Sequence, residues 1–158
     1  MGSVPTPRPI SFYGEPSGFA LLEWSWVAER LVEAGTYWVV ANSAATPHPR
    51  PVWGIWDGDA LVLSIGSPAV AGAAAADPNI TVHLDSGTEV VVVEGIARSL
   101  TEPVADYLRA YDAKYEWTYS YAEYGPLTRI DPTRVLAWRS AGWAGRDGFQ
   151  SAGSWRFD

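Results

Sequence analysis

The chain has 158 residues, 47% of them hydrophobic and 18% charged, a net charge of −7 and no cysteine. This describes a globular chain long enough to bury a core without disulfides or a structural metal, and it excludes thiolate catalysis and thiolate metal sites. The acidic balance argues against a nucleic-acid or anionic-membrane partner, which needs clustered Lys and Arg, and no apolar run is long enough to span a bilayer.

Residues 1–18 are rich in Pro, Gly and Ser and are expected to form an extended arm, with 19–158 as one domain. The polar, proline-rich stretch from Met1 to Pro9 carries no secretory signal pattern, so the cytoplasm is the expected compartment. Phe19 to Ala34 predicts an amphipathic helix, with Leu22, Trp26, Val27 and Leu31 near one face and Gly35 as its stop. Thr36 to Ala41 predicts a strand, and Asn42 to Arg50 a turn-rich connection. Pro51 to Trp56 and Ala60 to Ile65 predict a hairpin closed by Asp57-Gly58-Asp59. The alanine-rich stretch Ser67 to Ala76 predicts a short helix ending at Asp77-Pro78.

Two further strands are predicted at Ile80 to Leu84 and Glu89 to Ala97. The unalternating run Val90 to Val93 is expected to be covered on both sides, by the barrel interior and by a dimer partner. Glu102 to Trp117 predicts a second helix with a stripe of Tyr107, Leu108, Tyr111 and Tyr115. Arg134 to Trp138 and Ser154 to Phe157 predict the last strands, separated by a glycine-rich loop over Gly142 to Gly153. Successive strands joined by tight turns are antiparallel. The fold class expected is mainly β with flanking helices (α+β), a six- to seven-stranded antiparallel barrel.

The chemistry-bearing residues are few. His48 and His83 are the only histidines, too few for a His-rich metal site. His48 precedes a strand in a Pro-rich loop, and His83 lies mid-strand. Glu94, in an apolar strand, is expected either to pair with an arginine or to act as a general acid or base. Nine tryptophans and the aromatic run Tyr115, Trp117, Tyr119, Tyr121 and Tyr124 are expected to serve mostly in packing, with some rings lining a pocket for a flat ligand. There is no nucleophile-elbow Gly-x-Ser-x-Gly, no P-loop and no dinucleotide Gly-x-Gly-x-x-Gly.

Three stretches resemble the pyridoxamine 5'-phosphate oxidase-like family of flavin and deazaflavin oxidoreductases. The first runs from Ala34 to Val40 and on through Pro47-His48-Pro49-Arg50-Pro51-Val52-Trp53-Gly54-Ile55-Trp56-Asp57-Gly58-Asp59. The second is Ala75-Ala76-Asp77-Pro78-Asn79-Ile80-Thr81-Val82-His83-Leu84, with Val92-Val93-Glu94-Gly95 after it. The third is Lys114-Tyr115-Glu116-Trp117, with Trp155-Arg156-Phe157 at the chain end. The resemblance implies a homodimer of split β-barrels with two equivalent sites for FMN or the deazaflavin coenzyme F-420 at the interface. It implies a flavin ring near Arg50 to Trp53 and a phosphate near Ser64 to Val70. The cofactor contacts it implies are Arg50, Val52, Trp53, Ser64, Ser67, Lys114 and Trp155. A small conjugated substrate would meet His48, Trp117, Tyr121, Trp143 and Arg146.

One departure bears on function. The family carries a basic cluster at the short helix, where this chain has Ser67-Pro68-Ala69-Val70-Ala71-Gly72-Ala73-Ala74. Each lost charge-assisted hydrogen bond weakens anion binding by about 1.5–3 kcal/mol. Arg50, Lys114, Arg146 and Arg156 are the candidates to compensate. The alternative reading is a cofactor-less split barrel that binds or converts an aromatic or polyene ligand without redox chemistry.

Overall fold

The computed structural model describes residues 2–13, 20–140 and 146–158, the last without the side chains of 146–148. Its elements, in chain order, are β1 (Arg8–Pro9), α1 (Trp24–Glu33), β2 (Tyr37–Ala41), β3 (His48–Trp56), β4 (Leu61–Ser64) and α2 (Pro68–Ala76). They continue with β5 (Asn79–His83), β6 (Glu89–Leu100), α3 (Ala105–Tyr115), α4 (Tyr121–Tyr124), β7 (Leu127–Arg139), a 3-10 turn (Arg146–Ser151) and β8 (Gly153–Arg156).

Strands β2 to β7 close an antiparallel barrel in the order β7-β4-β3-β2-β5-β6, with β6 pairing back onto β7. The long strand β7 makes the barrel a split one. One of its edges runs along β6 for its whole length. The other edge pairs with β4 over Thr128 to Ile130 and with β8 over Arg134 to Ala137. β1 then adds to β8 through Arg8 and Pro9, so this part of the N-terminal segment is tied into the sheet.

β7 is much longer than the expected Arg134 to Trp138. Pro132 conceals its first half in the sequence, because proline cannot donate to a ladder. It is tolerated at a bulge, where the register of β6 shifts between Glu94 and Gly95 and Gly95 faces Pro132. Gly95 is required there by proximity, since a Cβ would sit 2.6 Å from the Asp131 carbonyl oxygen.

Alternation along the strands sets the layers. Val39, Leu61, Leu63, Val82, Val91, Val93, Ile130 and Val135 point inward with Val27 and Leu31 of α1, Val70 of α2 and Trp155 of β8. Val62, between Leu61 and Leu63, points the other way into a second cluster with Ile55, Leu100, Leu127 and Tyr111 of α3. Strand β4 is thus covered on both faces within the chain. Along β6, Val91 and Val93 are buried while Val90 and Val92 are half-exposed, so the described residues do not complete the second cover expected for that run.

Helix boundaries differ from the sequence expectation for local reasons. α1 starts at Trp24, because residues 20–23 run outside the helix, with Ala20 N–H donating to the Gln150 carbonyl. Phe19, the expected start, lies outside the described residues. α2 starts at Pro68 behind Ser67, whose hydroxyl caps the Val70 N–H at 3.4 Å. α3 ends at Glu116, which adopts the left-handed conformation (φ 50°), and Trp117 N–H returns to the Asp112 carbonyl at 3.0 Å.

A polar network fastens α3 and β7 to the β3–β4 turn. Asp57 accepts from the Asp59 and Ala60 amides at 2.8 and 2.7 Å, from the Tyr107 hydroxyl at 2.9 Å and from the Arg129 guanidinium at 2.7 Å. Burial works against charge on Asp57, but these donors outweigh it and hold its carboxyl below the usual carboxylate range. Arg129 also donates to Asp131 at 2.8 Å.

Candidate functional site

A cleft of about 380 Å³ opens where the middle of β3 meets the end of β4 and the start of α2. Arg50, Pro51, Val52 and Trp53 of β3 form one wall. Ser64, Gly66 and Ser67 form the floor toward α2. Tyr111 of α3 and Trp117, Tyr119 and Tyr124 beyond it complete the cleft. Its volume lies within the range of small-molecule sites.

The chain builds the aromatic wall by reversing direction at Glu116. This brings Trp117 back beside Trp53 with their rings nearly perpendicular, at 87° and a centroid separation of 6.0 Å. Tyr115 supports the Trp53 ring from behind in a parallel stack at 4.5 Å. Trp53 and Trp117 remain 44% and 45% exposed, whereas Tyr111 and Tyr119 are buried. Tyr119 is locked by its N–H to Asp112 and by its hydroxyl to the Gly125 carbonyl, at 2.8 and 2.9 Å. Two exposed indoles at a right angle offer a stacking face and an edge to a flat ring.

The phenols in the cleft are neutral donors at neutral pH. Burial pushes Tyr111 up to about 12, and interaction with the Ser64 side chain offsets part of this. Burial raises Tyr119 as well, again with Ser64 acting in the opposite sense.

The structure draws together Arg50, Val52, Trp53, Ser64, Ser67 and Trp117 in this one cleft. It does not bring every sequence candidate there. Trp155 is fully buried in the main core, in edge contact with Trp24 at 5.6 Å, and does not reach the cleft. Lys114 turns away, its Nζ donating to the Tyr37 hydroxyl and the Gly54 carbonyl, both at 2.9 Å. Tyr121 donates to the Leu100 carbonyl at 3.1 Å. His48 opens β3 opposite Ala41, away from the lining. Trp143 and the Arg146 side chain lie outside the described residues. Glu94 is half-exposed on β6 and faces Arg134 across the ladder, 3.9 Å away. His83 stacks flat on Trp38 at 6.1 Å.

Tyr119 and Tyr124 come from the aromatic run expected to give some rings to a pocket, and Tyr111 joins them in the lining without having been singled out as a ligand contact. The signal available was Tyr111 in the apolar stripe of α3, which identifies a packed face without saying what lies beyond it. A second cavity of about 390 Å³ follows the alanine face of α2, but its one described cation, Arg98, pairs with Asp131 at 3.5 Å.

The donor set allows a test of fit to a flavin-type group. The ring portion has matching walls in Trp53, Trp117 and Tyr124. The end toward α2 offers hydroxyls from Ser64 and Ser67 and, as its one cation among the described residues, the guanidinium of Arg50. The fit is to a flat aromatic group carried mainly by its ring.

No protein-family model and no curated protein matches the sequence. Solved structures do match. A conserved hypothetical protein from Mycobacterium tuberculosis superposes with a TM-score of 0.66 at 19% identity, over 79% of this chain and 89% of that one. A pyridoxamine 5'-phosphate oxidase candidate from Listeria innocua gives 0.59 at 17%, over 72% and 95%. An F-420 reductase gives 0.54 at 18%, over 68% and 94%. At such identities the likeness is one of fold, and the chain has the split β-barrel architecture of the pyridoxamine 5'-phosphate oxidase-like proteins.

Proposed function

We propose that this protein is a flavin- or deazaflavin-dependent oxidoreductase that holds FMN or coenzyme F-420 in the β3–α2 cleft and acts on a small conjugated organic substrate. The observation that carries the reading is the right-angled pair of exposed indoles, Trp53 and Trp117, beside Arg50 at the mouth of a cleft of about 380 Å³. The fold neighbours support it, since they include an F-420 reductase and a pyridoxamine 5'-phosphate oxidase candidate.

When bound, such a group supplies hydride transfer. The chain's own part is binding and orientation. Trp53, braced by Tyr115, gives a rigid face against which a ring is held. Tyr111 and Tyr119 exclude water from the floor and stay protonated. Arg50 offers a positive charge to a ring carbonyl.

We further propose a cytoplasmic homodimer. The half-exposed Val90 and Val92 on the outer face of β6 support it, because a second copy would supply cover that the described residues do not give. Among the described residues no helix is long and apolar enough to cross a membrane.

The test is direct. The purified protein is examined for visible absorption and titrated with FMN and with coenzyme F-420 while tryptophan emission is followed. Saturable quenching of Trp53 and Trp117, lost in Trp53→Ala, is expected. Absence of saturable binding of either compound up to millimolar concentration rules the reading out.

A further inference from the structure

We infer that the cleft recognises the ring of its ligand and is indifferent to a phosphate on the tail, so that riboflavin binds about as tightly as FMN. This rests on the proposed flavin-type reading of the same site and states what within the ligand is recognised.

The argument is an inventory of positive charge and free donors. The chain has eleven Lys and Arg. Among the described residues only Arg50 lines the cleft. Of the other ten, six are paired elsewhere, Arg8, Arg139 and Arg156 sit on β1, β7 and β8 outside the lining, and the Arg146 side chain lies outside the described residues. Arg30 donates to Glu89, and Arg98 and Arg129 to Asp131. Arg109 pairs with Asp106, Arg134 faces Glu94, and Lys114 is held by Tyr37 and Gly54. Arg50 itself is exposed and donates to the Pro49 carbonyl at 2.8 Å, so its charge is largely hydrated.

The helix start contributes little more. A helix N-terminus attracts anions through its unpaired N–H groups. In α2 the first position is Pro68, which has no N–H, and Ser67 takes up the Val70 N–H. That leaves the Ser67 and Ala69 amides as the donors still available at the helix start. The helix carries no basic residue in its last turn and none along its nine positions. The net charge of −7 opposes a dianion further.

A hydrated phosphate brought to this end of the cleft exchanges good water contacts for few protein donors. It therefore gains nothing over a hydroxyl. The apolar and aromatic walls, in contrast, act on the ring whichever tail it carries.

The experiment compares riboflavin with FMN on the intact protein by tryptophan quenching. Dissociation constants within about threefold of each other are expected. The FMN constant should change less than about threefold from about 50 mM to about 500 mM NaCl, because a single exposed guanidinium is readily screened. FMN binding ten or more times tighter than riboflavin overturns the inference while leaving the flavin reading intact. No binding of either compound, nor of coenzyme F-420, overturns both.

A gain-of-function variant adds an independent arm. Ala69 is exposed at the start of α2, whereas neighbouring Val70 is fully buried and cannot take a charge. Ala69→Lys is expected to tighten FMN about tenfold and leave riboflavin unchanged. An unchanged ratio means that the tail does not lie at α2, and the inference fails.

Discussion

Lys114 is the chain's only lysine, and its surroundings suit a neutral amine. Its Nζ lies 2.9 Å from two acceptors, the Tyr37 hydroxyl and the Gly54 carbonyl, which matches the two protons of an uncharged amine. The Tyr37 ring lies 4.7 Å away, and no carboxylate pairs with the amine among the described residues. Desolvation lowers its pKa from 10.5 to about 8. The unfolded chain therefore binds more protons than the folded one between those values, and stability rises with pH across that window. It is complete above the unfolded value and lost as pH falls through the folded one.

Full linkage between about pH 7 and about pH 9.5 would amount to about 2 kcal/mol. Lys114 is only half-buried, and solvent screening reduces this to about 1 kcal/mol. Urea denaturation of the wild type and of Lys114→Met should thus diverge by about 1 kcal/mol over this range, the wild type gaining relative to the variant. Curves that stay parallel within about 0.3 kcal/mol would refute the reasoning. The range stops below about pH 10, because the tyrosines then act oppositely. Burial raises Tyr37 and Tyr111, so the unfolded chain loses phenol protons first and stability falls.

Two further substitutions test the frame around the cleft. Gly54 lies past the end of β2 on β3, where the Tyr115 hydroxyl accepts its N–H at 2.9 Å and Lys114 donates to its carbonyl. A Cβ there would meet the Val62 carbonyl oxygen at 2.6 Å and Leu63 at 2.4 Å. Gly54→Ala should therefore cost about 2–3 kcal/mol and lower Tm by roughly 4–12 °C in calorimetry. Asp57→Ala leaves the turn amides, Tyr107 and Arg129 without their common acceptor and should cost about 2–3 kcal/mol. Asp57→Asn keeps the amide acceptor and should cost about 1 kcal/mol, a gap from wild type that closes as pH falls below about 4 and Asp57 protonates.

Much of the barrel was legible in the sequence. Period-two patterns and the Asp57-Gly58-Asp59 turn placed β2, β3 and β4 within a few residues, and Ser67-Pro68 marked the start of α2. What escaped was set by partners distant in the chain. The first half of β7 reads poorly because of Pro132, which is acceptable only opposite a bulge at Gly95. The two-residue strand β1 exists only because β8 presents an edge to it.

For the site, the sequence by itself determined the residue types available: aromatic rings in abundance, hydroxyls at Ser64 and Ser67, and a helix start without cations. Those follow from composition and local spacing, which survive any arrangement of the chain. Only the tertiary structure decided which aromatics meet. Trp155 and Trp53 look equally eligible as residues, yet barrel closure buries one in the core and the return of the chain at Glu116 sets the other at right angles to Trp117. The physical reason is that a side chain's surroundings depend on long-range strand register and helix packing, and neither is encoded within the few residues on either side of it.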